Sequence, residues 1–212
     1  MNAWLTQIVL NQRHAGVAEQ ITDANRLHQE LMLLAPDGLG ESPRKAVGLL
    51  YRLEETPAGV KILVQTRVRP KIDRLTDGFA TTVTTRDLAP LLKNLSAGDH
   101  VRYRITANPT QRVGNSTTDP RKKGKLTVLA GERGELWWLT RATANGLHPF
   151  SVTQSRLPDI HAGKTRHAAT RFDGVGIVTD ADRLRQAVLD GIGRAKSYGC
   201  GLISLGPAQK PE

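Results

Sequence analysis

One cysteine, Cys200, occurs in the 212 residues. A single thiol closes no intramolecular disulfide and builds no multi-cysteine metal site, so the chain fits a reducing cytosol. No run approaches 18 consecutive apolar residues, so no membrane-spanning helix is expected. The opening residues, MNAWLTQIVLNQRH, lack the basic stretch and small-residue cleavage site of an export signal. Aromatic residues make up only 4%, and the β-rich segments hold few of them. Proteins that read single-stranded RNA on a sheet face stack bases on strand aromatics, and that platform is missing here. Negative charge is also scarce: 20 acidic residues stand against 30 Lys and Arg, for a net charge of +10. The sequence pI is about 10.2. A positive field of that size favours polyanionic partners. The six histidines are scattered, none at zinc-like spacing with the cysteine, so neither a metal nor another cofactor is expected.

What is present is the composition of a folded protein, 39% hydrophobic and 24% charged. Residues 3–10 read as a strand. Val17, Ile21, Ala24, Leu27, Leu31 and Leu34 recur at three and four, which predicts a helix over 17–35, with Thr22 and Asp23 as an alternative cap. Pro36, Gly38 and Gly40 end it. Strands are expected over 45–54 and 60–68 around a turn at Glu55–Gly59, then over 79–85, with a short helix at 87–95. The second half runs in the same order. A strand at 100–107 is followed by a polar basic loop or hairpin at 111–125 and a helix at 131–145. Strands near 147–154 and 170–179 precede a helix at 180–190 capped by Asp180, and a last strand covers 202–205. Each half reads as β-α-β-β with further elements. The fold class is therefore α+β, two tandem ferredoxin-like domains, 1–97 and 98–212.

Three features carry chemistry. The segment GIGRAKSYGCGL holds Gly191, Gly193, Gly199 and Gly201, which allow backbone N–H groups to approach phosphate, and Arg194 and Lys196 add charge. It follows a helix and precedes a strand, unlike a dinucleotide-binding fingerprint, and Ala195 stands where a Walker A motif needs glycine. The alternative is a plain glycine-rich turn. His28 falls among the apolar residues of its helix, so its ring is either a satisfied core group or opens into a cleft where it can move a proton near neutral pH. Arg112, Arg121, Lys122, Lys123 and Lys125 make a loose basic loop, either solvated or in contact with RNA. Without an aromatic platform, a binder of this kind grips phosphates and the shape of a duplex stem.

Three segments together resemble the CasE family of CRISPR-associated endoribonucleases, within the RAMP superfamily. They are the helix Arg26–Pro36 (RLHQELMLLAP), the strand Arg102–Pro109 (RYRITANP), and Gly191–Leu205 (GIGRAKSYGCGLISL). The last is the specific one, and the likeness runs the whole length. The resemblance implies cleavage of precursor CRISPR RNA at the base of the repeat hairpin. The products are a 2′,3′-cyclic phosphate and a 5′-hydroxyl, and no metal takes part. The protein then stays on the crRNA and joins the other subunits of the Cascade complex. His28 matches the family's catalytic histidine. A family tyrosine three residues earlier is replaced by Asn25, which hydrogen-bonds but cannot act as a phenol. Arg26 and Tyr198 are the candidate replacements. A binding-only protein of the same architecture is the other reading.

Overall fold

β1 (Trp4–Leu10) alternates as its sequence does, with Thr6, Ile8 and Leu10 buried on one face. The computed structural model describes residues 2–57, 59–114, 121 and 123–209. Two short helices follow, α1 (Val17–Thr22) and α2 (Ala24–Met32), where the periodicity predicts one helix over 17–35. Asp23 divides them. Its backbone is extended at φ −116°, and its carboxylate accepts the Asn25 N–H at 2.8 Å, so it caps α2. The apolar stripe survives the break: Val17, Leu27, Leu31 and Leu34 pack on Ile8, Ile62 and Val64.

The expected strand at 45–54 begins as α3 (Pro43–Val47) instead. Pro43 opens this helix and Gly48 closes it at φ 63°, the asymmetric signal of a helix start and stop. A side chain at Gly48 would also strike Arg67, 2.7 Å from the ideal Cβ. β2 (Leu50–Thr56) and β3 (Gly59–Thr66) then form the expected hairpin, and β4 (Ala80–Asp87) returns to β1. The first sheet is antiparallel in the order β2-β3-β1-β4. α4 (Ala89–Asn94) leads on, and its Leu92 joins the core of the second half although it precedes residue 97.

The second half repeats the topology. β5 (His100–Ala107) and α5 (Glu132–Ala144) come first. β8 (Leu147–Pro149), β10 (Thr165–Val178), α6 (Ala181–Asp190) and β11 (Ile203–Pro207) follow. The sheet order is β11-β5-β10-β8, the same arrangement as β4-β1-β3-β2 in the first half. Both halves thus have the ferredoxin-like order. Between β5 and α5, β6 (Thr110–Arg112) and β7 (Leu126–Val128) pair as a separate ribbon, so the ends of the expected basic loop are strands. The strand expected near 147–154 stops at Pro149, because the Phe150 and Ser151 N–H groups both turn to the Val175 carbonyl. The strand expected at 170–179 starts five residues earlier, at Thr165. It does so because β9 (Thr153–Ala162) lies along it as an edge strand. Pro158 and the polar composition of β9 hid it, and both suit an edge. Trp138 and Phe172, stacked with planes 16° apart, centre the second core.

The two sheets are joined by polar contacts from β2 and β3. Arg52 is only 2% exposed. Its guanidinium donates to Glu54 at 2.7 Å, to the Arg104 and Leu202 carbonyls at 3.2 and 3.1 Å, and to Ser204 at 2.9 Å. Glu54 also faces Arg104, which pairs with Asp173. The Arg52–Glu54 pair lies within β2 and holds the guanidinium in place, while its bonds to the Arg104 and Leu202 carbonyls and to Ser204 cross the join. Gln65 donates to the Val188 carbonyl at 2.7 Å, and Tyr51 donates to that of Ser197 at 3.2 Å. The Tyr51 bond ties the first sheet directly to the glycine-rich segment.

Candidate nucleic-acid interface and cleavage site

The Gly191–Gly201 segment folds into a closed loop. The Ile192 N–H donates to Gly201 O at 2.9 Å, and the Gly201 N–H donates to Thr106 O on β5 at 2.8 Å. The Gly191 N–H completes α6 on Ala187 O. Gly191, Gly193, Gly199 and Gly201 all have positive φ, between 72° and 93°, where glycine alone is unstrained. The expected phosphate cradle is therefore divided. Gly191 and Gly201 spend their N–H groups inside the protein and shape the loop. Gly199 lets the chain pass over Tyr51, 3.1 Å from its ideal Cβ, and Gly193 does the same over Trp137 at 3.2 Å.

The loop has two working sides. On one, Gly193 and Arg194 line an open groove of about 530 Å³, together with Arg112 on β6 and Arg133, Trp137 and Arg141 on α5. Among the described residues no acidic one lines it. Arg141 lies over the Trp137 ring at 5.9 Å. Four guanidiniums around one groove suit phosphate oxygens, which they can meet bidentately. Arg133, Trp137 and Arg141 were missed in the sequence, yet their spacing of four residues puts them on one face of a helix, a signal that was there to read. Arg112 is partly committed, since its Nη1 donates to Gly124 O at 2.6 Å and braces the ribbon. Arg121, Lys123 and Lys125 are exposed near that ribbon. Lys122 lies outside the described residues.

On its other side the loop packs on α2 through the turn Lys196–Tyr198. That helix carries His28, which is half-buried. Its Nδ1 is buried and meets no hydrogen-bond partner among the described residues. Burial lowers its pKa, and the nearby Arg44 guanidinium lowers it further. Arg44 comes from α3, the helix that replaces the expected strand, and it also bears on Lys196. The Lys196 ammonium donates to Asp190 O at 2.7 Å, and burial pulls its pKa below the usual lysine value. His28 and Lys196 thus each lie within electrostatic reach of Arg44.

The candidate replacements for the tyrosine part company. Arg26 pairs with Glu19 on the exposed side of α2 and is not brought to His28. Asn25 is half-buried beside Gly163, whose ideal Cβ is 3.5 Å from Asn25 Nδ2. Tyr198 lies in the turn against α2. Cys200 is fully buried, and burial pushes its thiol up to about 12, which leaves it inert. Among the described residues no group of three His, Cys, Asp or Glu could hold a metal ion. Among them too, no helix is long and apolar enough to cross a membrane.

The comparisons with known proteins agree with one another. A model of the family described as CRISPR associated protein matches residues 3–207. The CRISPR system Cascade subunit CasE of Escherichia coli (strain K12) is 30% identical over 197 residues, covering 87% of this chain and 92% of that one. The CRISPR-associated endoribonuclease Cse3 of Thermus thermophilus is 28% identical over 225 residues, covering 96% and 100%. A solved structure of Thermus thermophilus Cse3, bound to an RNA representing a pre-cleavage complex, superposes with a TM-score of 0.82 at 24% identity over 98% of this chain and all of that one.

Proposed function

The chain belongs to the CRISPR-associated protein family, in its CasE branch, and from that membership and the two-sided glycine loop we propose how it works as an endoribonuclease. Its substrate is precursor CRISPR RNA, cut at the base of the repeat hairpin. The product stays bound, and the protein enters Cascade with it in the cytoplasm. The two ferredoxin-like units are its domains, 1–97 and 98–212: the first carries His28, the second the glycine loop and the basic ribbon.

One observation carries this reading. The same loop lines the arginine groove with Gly193 and Arg194 and meets the histidine helix with Lys196–Tyr198. A stem whose backbone lies in the groove would have its lower end delivered to His28. The 2′-oxygen then attacks the adjacent phosphorus, the bond to the 5′-oxygen breaks, and a 2′,3′-cyclic phosphate and 5′-hydroxyl remain. The 2′-proton is removed and the departing oxygen gains one. His28 serves one of these transfers, while Arg44 and Lys196 offset the charge that builds on the phosphate. No step calls for a metal ion. In the free protein the neutral ring of His28 dominates at pH 7. A bound phosphate counters Arg44 and restores basicity, so substrate itself readies the ring to act as an acid.

The deciding assay is incubation with a labelled repeat hairpin. We expect one cut at the hairpin base, with one turnover per protein because the stem stays gripped after it. A hairpin that is bound and left whole establishes the binding-only reading instead. The groove has a separate signature. Arg141→Ala with Arg194→Ala should weaken hairpin binding and flatten its salt dependence, the slope falling by roughly 0.7–0.9 for each phosphate no longer neutralised. An unchanged slope in that double variant removes the groove from the interface.

A further inference from the structure

His167 takes no part in the chemistry assigned to His28, yet it stacks on the turn that meets the His28 helix. It lies on β10 next to a bulge, where Pro158 and Asp159 of β9 stand opposite Ala168 alone. Bulges re-aim side chains and recur next to active sites. The His167 ring lies face to face on Tyr198, with centroids 4.8 Å apart and planes 18° from parallel. Its Nε2 is buried and meets no partner among the described residues. Burial also lowers its pKa, so at neutral pH the ring is an uncharged plate. Tyr198 ends the turn that packs on α2, and its hydroxyl makes no hydrogen bond to another described residue. The far end of the β9–β10 hairpin also reaches α2, through Gly163 beside Asn25. Two chain segments about thirty residues apart thus stack one ring on another against the helix that carries His28.

We propose that His167 is a positioning residue for the cleavage reaction: its ring holds Tyr198 so that the phenol donates a hydrogen bond to a non-bridging oxygen of the phosphate attacked at His28. The inference rests on the cleavage site proposed at His28. A tyrosine on a glycine-rich turn would otherwise sample several rotamers, and one flat contact removes that freedom. The hydroxyl moves no proton in this role. It stabilises charge that develops on the phosphate, as an oxyanion donor does.

The test is a double-mutant cycle on the full chain, reading single-turnover rate, hairpin affinity and melting for each variant. Tyr198→Phe should cut about 10²-fold more slowly, the typical loss for one oxyanion donor, with affinity unchanged. His167→Ala should slow by a similar factor. His167→Phe, which keeps the plate and removes both nitrogens, should recover to within a few-fold of the parent. The double variant His167→Ala/Tyr198→Phe should be no slower than Tyr198→Phe, because the stack acts only through the hydroxyl. Parent-rate cleavage by His167→Ala overturns the proposal. So does a His167→Phe variant as slow as His167→Ala, or an additive double variant. If the parent fails to cut, or His28→Ala cuts normally, the site assignment itself falls. If His28→Ala is inactive while Tyr198→Phe cuts normally, only this inference falls.

Discussion

Replacing His28 with alanine should slow single-turnover cleavage by about 10²- to 10⁴-fold, the usual contribution of positioned proton transfer, while hairpin affinity stays within a few-fold of the parent. The helix α2 that carries His28 meets the Lys196–Tyr198 turn, whereas the groove proposed to grip phosphate is lined by Gly193 and Arg194 of the same loop. The half-buried ring has an unpartnered Nδ1, so its removal forfeits no hydrogen bond within the described structure. Melting, affinity and rate measured on one preparation decide the matter. A variant that melts early and loses binding with cleavage makes His28 a structural residue, and a stable variant that cuts at the parent rate removes it from the reaction. The titration of His28 gives an independent check. Burial and Arg44 both depress its pKa, so in the free protein the ring should pick up its proton only below the ordinary value of about 6.5. Arg44→Ala should move that titration upward, as read by the ring proton resonances. A downward or absent movement would separate Arg44 from the site.

A single 2′-deoxy nucleotide at the cut site should abolish cleavage altogether while leaving the hairpin bound. In the proposed mechanism the attacking group is the 2′-hydroxyl; Cys200 is buried as a neutral thiol, and Tyr51 is held protonated by burial with its hydroxyl on Ser197 O. The same preparation should cut unmodified hairpin equally well in excess EDTA. Cleavage of the deoxy substrate would show that water attacks directly, and loss of activity in EDTA would show that an ion belongs to the mechanism.

Much of this was legible from residue patterns. The period-two alternation of β1 and β5 and the apolar stripe through Leu27, Leu31 and Leu34 are local signals, and they placed His28 on a helix at the core face. The glycine-rich segment was equally visible, because closely spaced glycines followed by a strand are local too. The misreadings have local causes as well. Asp23 can cap a helix or sit inside one, and only packing decided for the cap. Pro43 and Gly48 bracketed α3, but the apolar run that follows drew the reading toward a strand. β9 has neither strict alternation nor β-rich composition, since one of its edges is unpaired and its hydrogen bonds to β10 hold it in place.

By itself, then, the sequence determined the α+β class, the positive field and the histidine helix, all of which follow from short-range periodicity and net charge. The tertiary structure alone decided what surrounds His28. Arg44 arrives from α3, Lys196 and Tyr198 from a loop some 170 residues away, and His167 from β10, beside a bulge in β9. It also decided which glycine N–H groups remain for a ligand, because those of Gly191 and Gly201 are consumed by α6 and β5. The reason is that the two halves meet through single buried side chains, Arg52 and Gln65 above all, reaching backbone carbonyls across the join. Contacts of that kind have no period and no neighbour in sequence, and the site exists only where they bring the halves together.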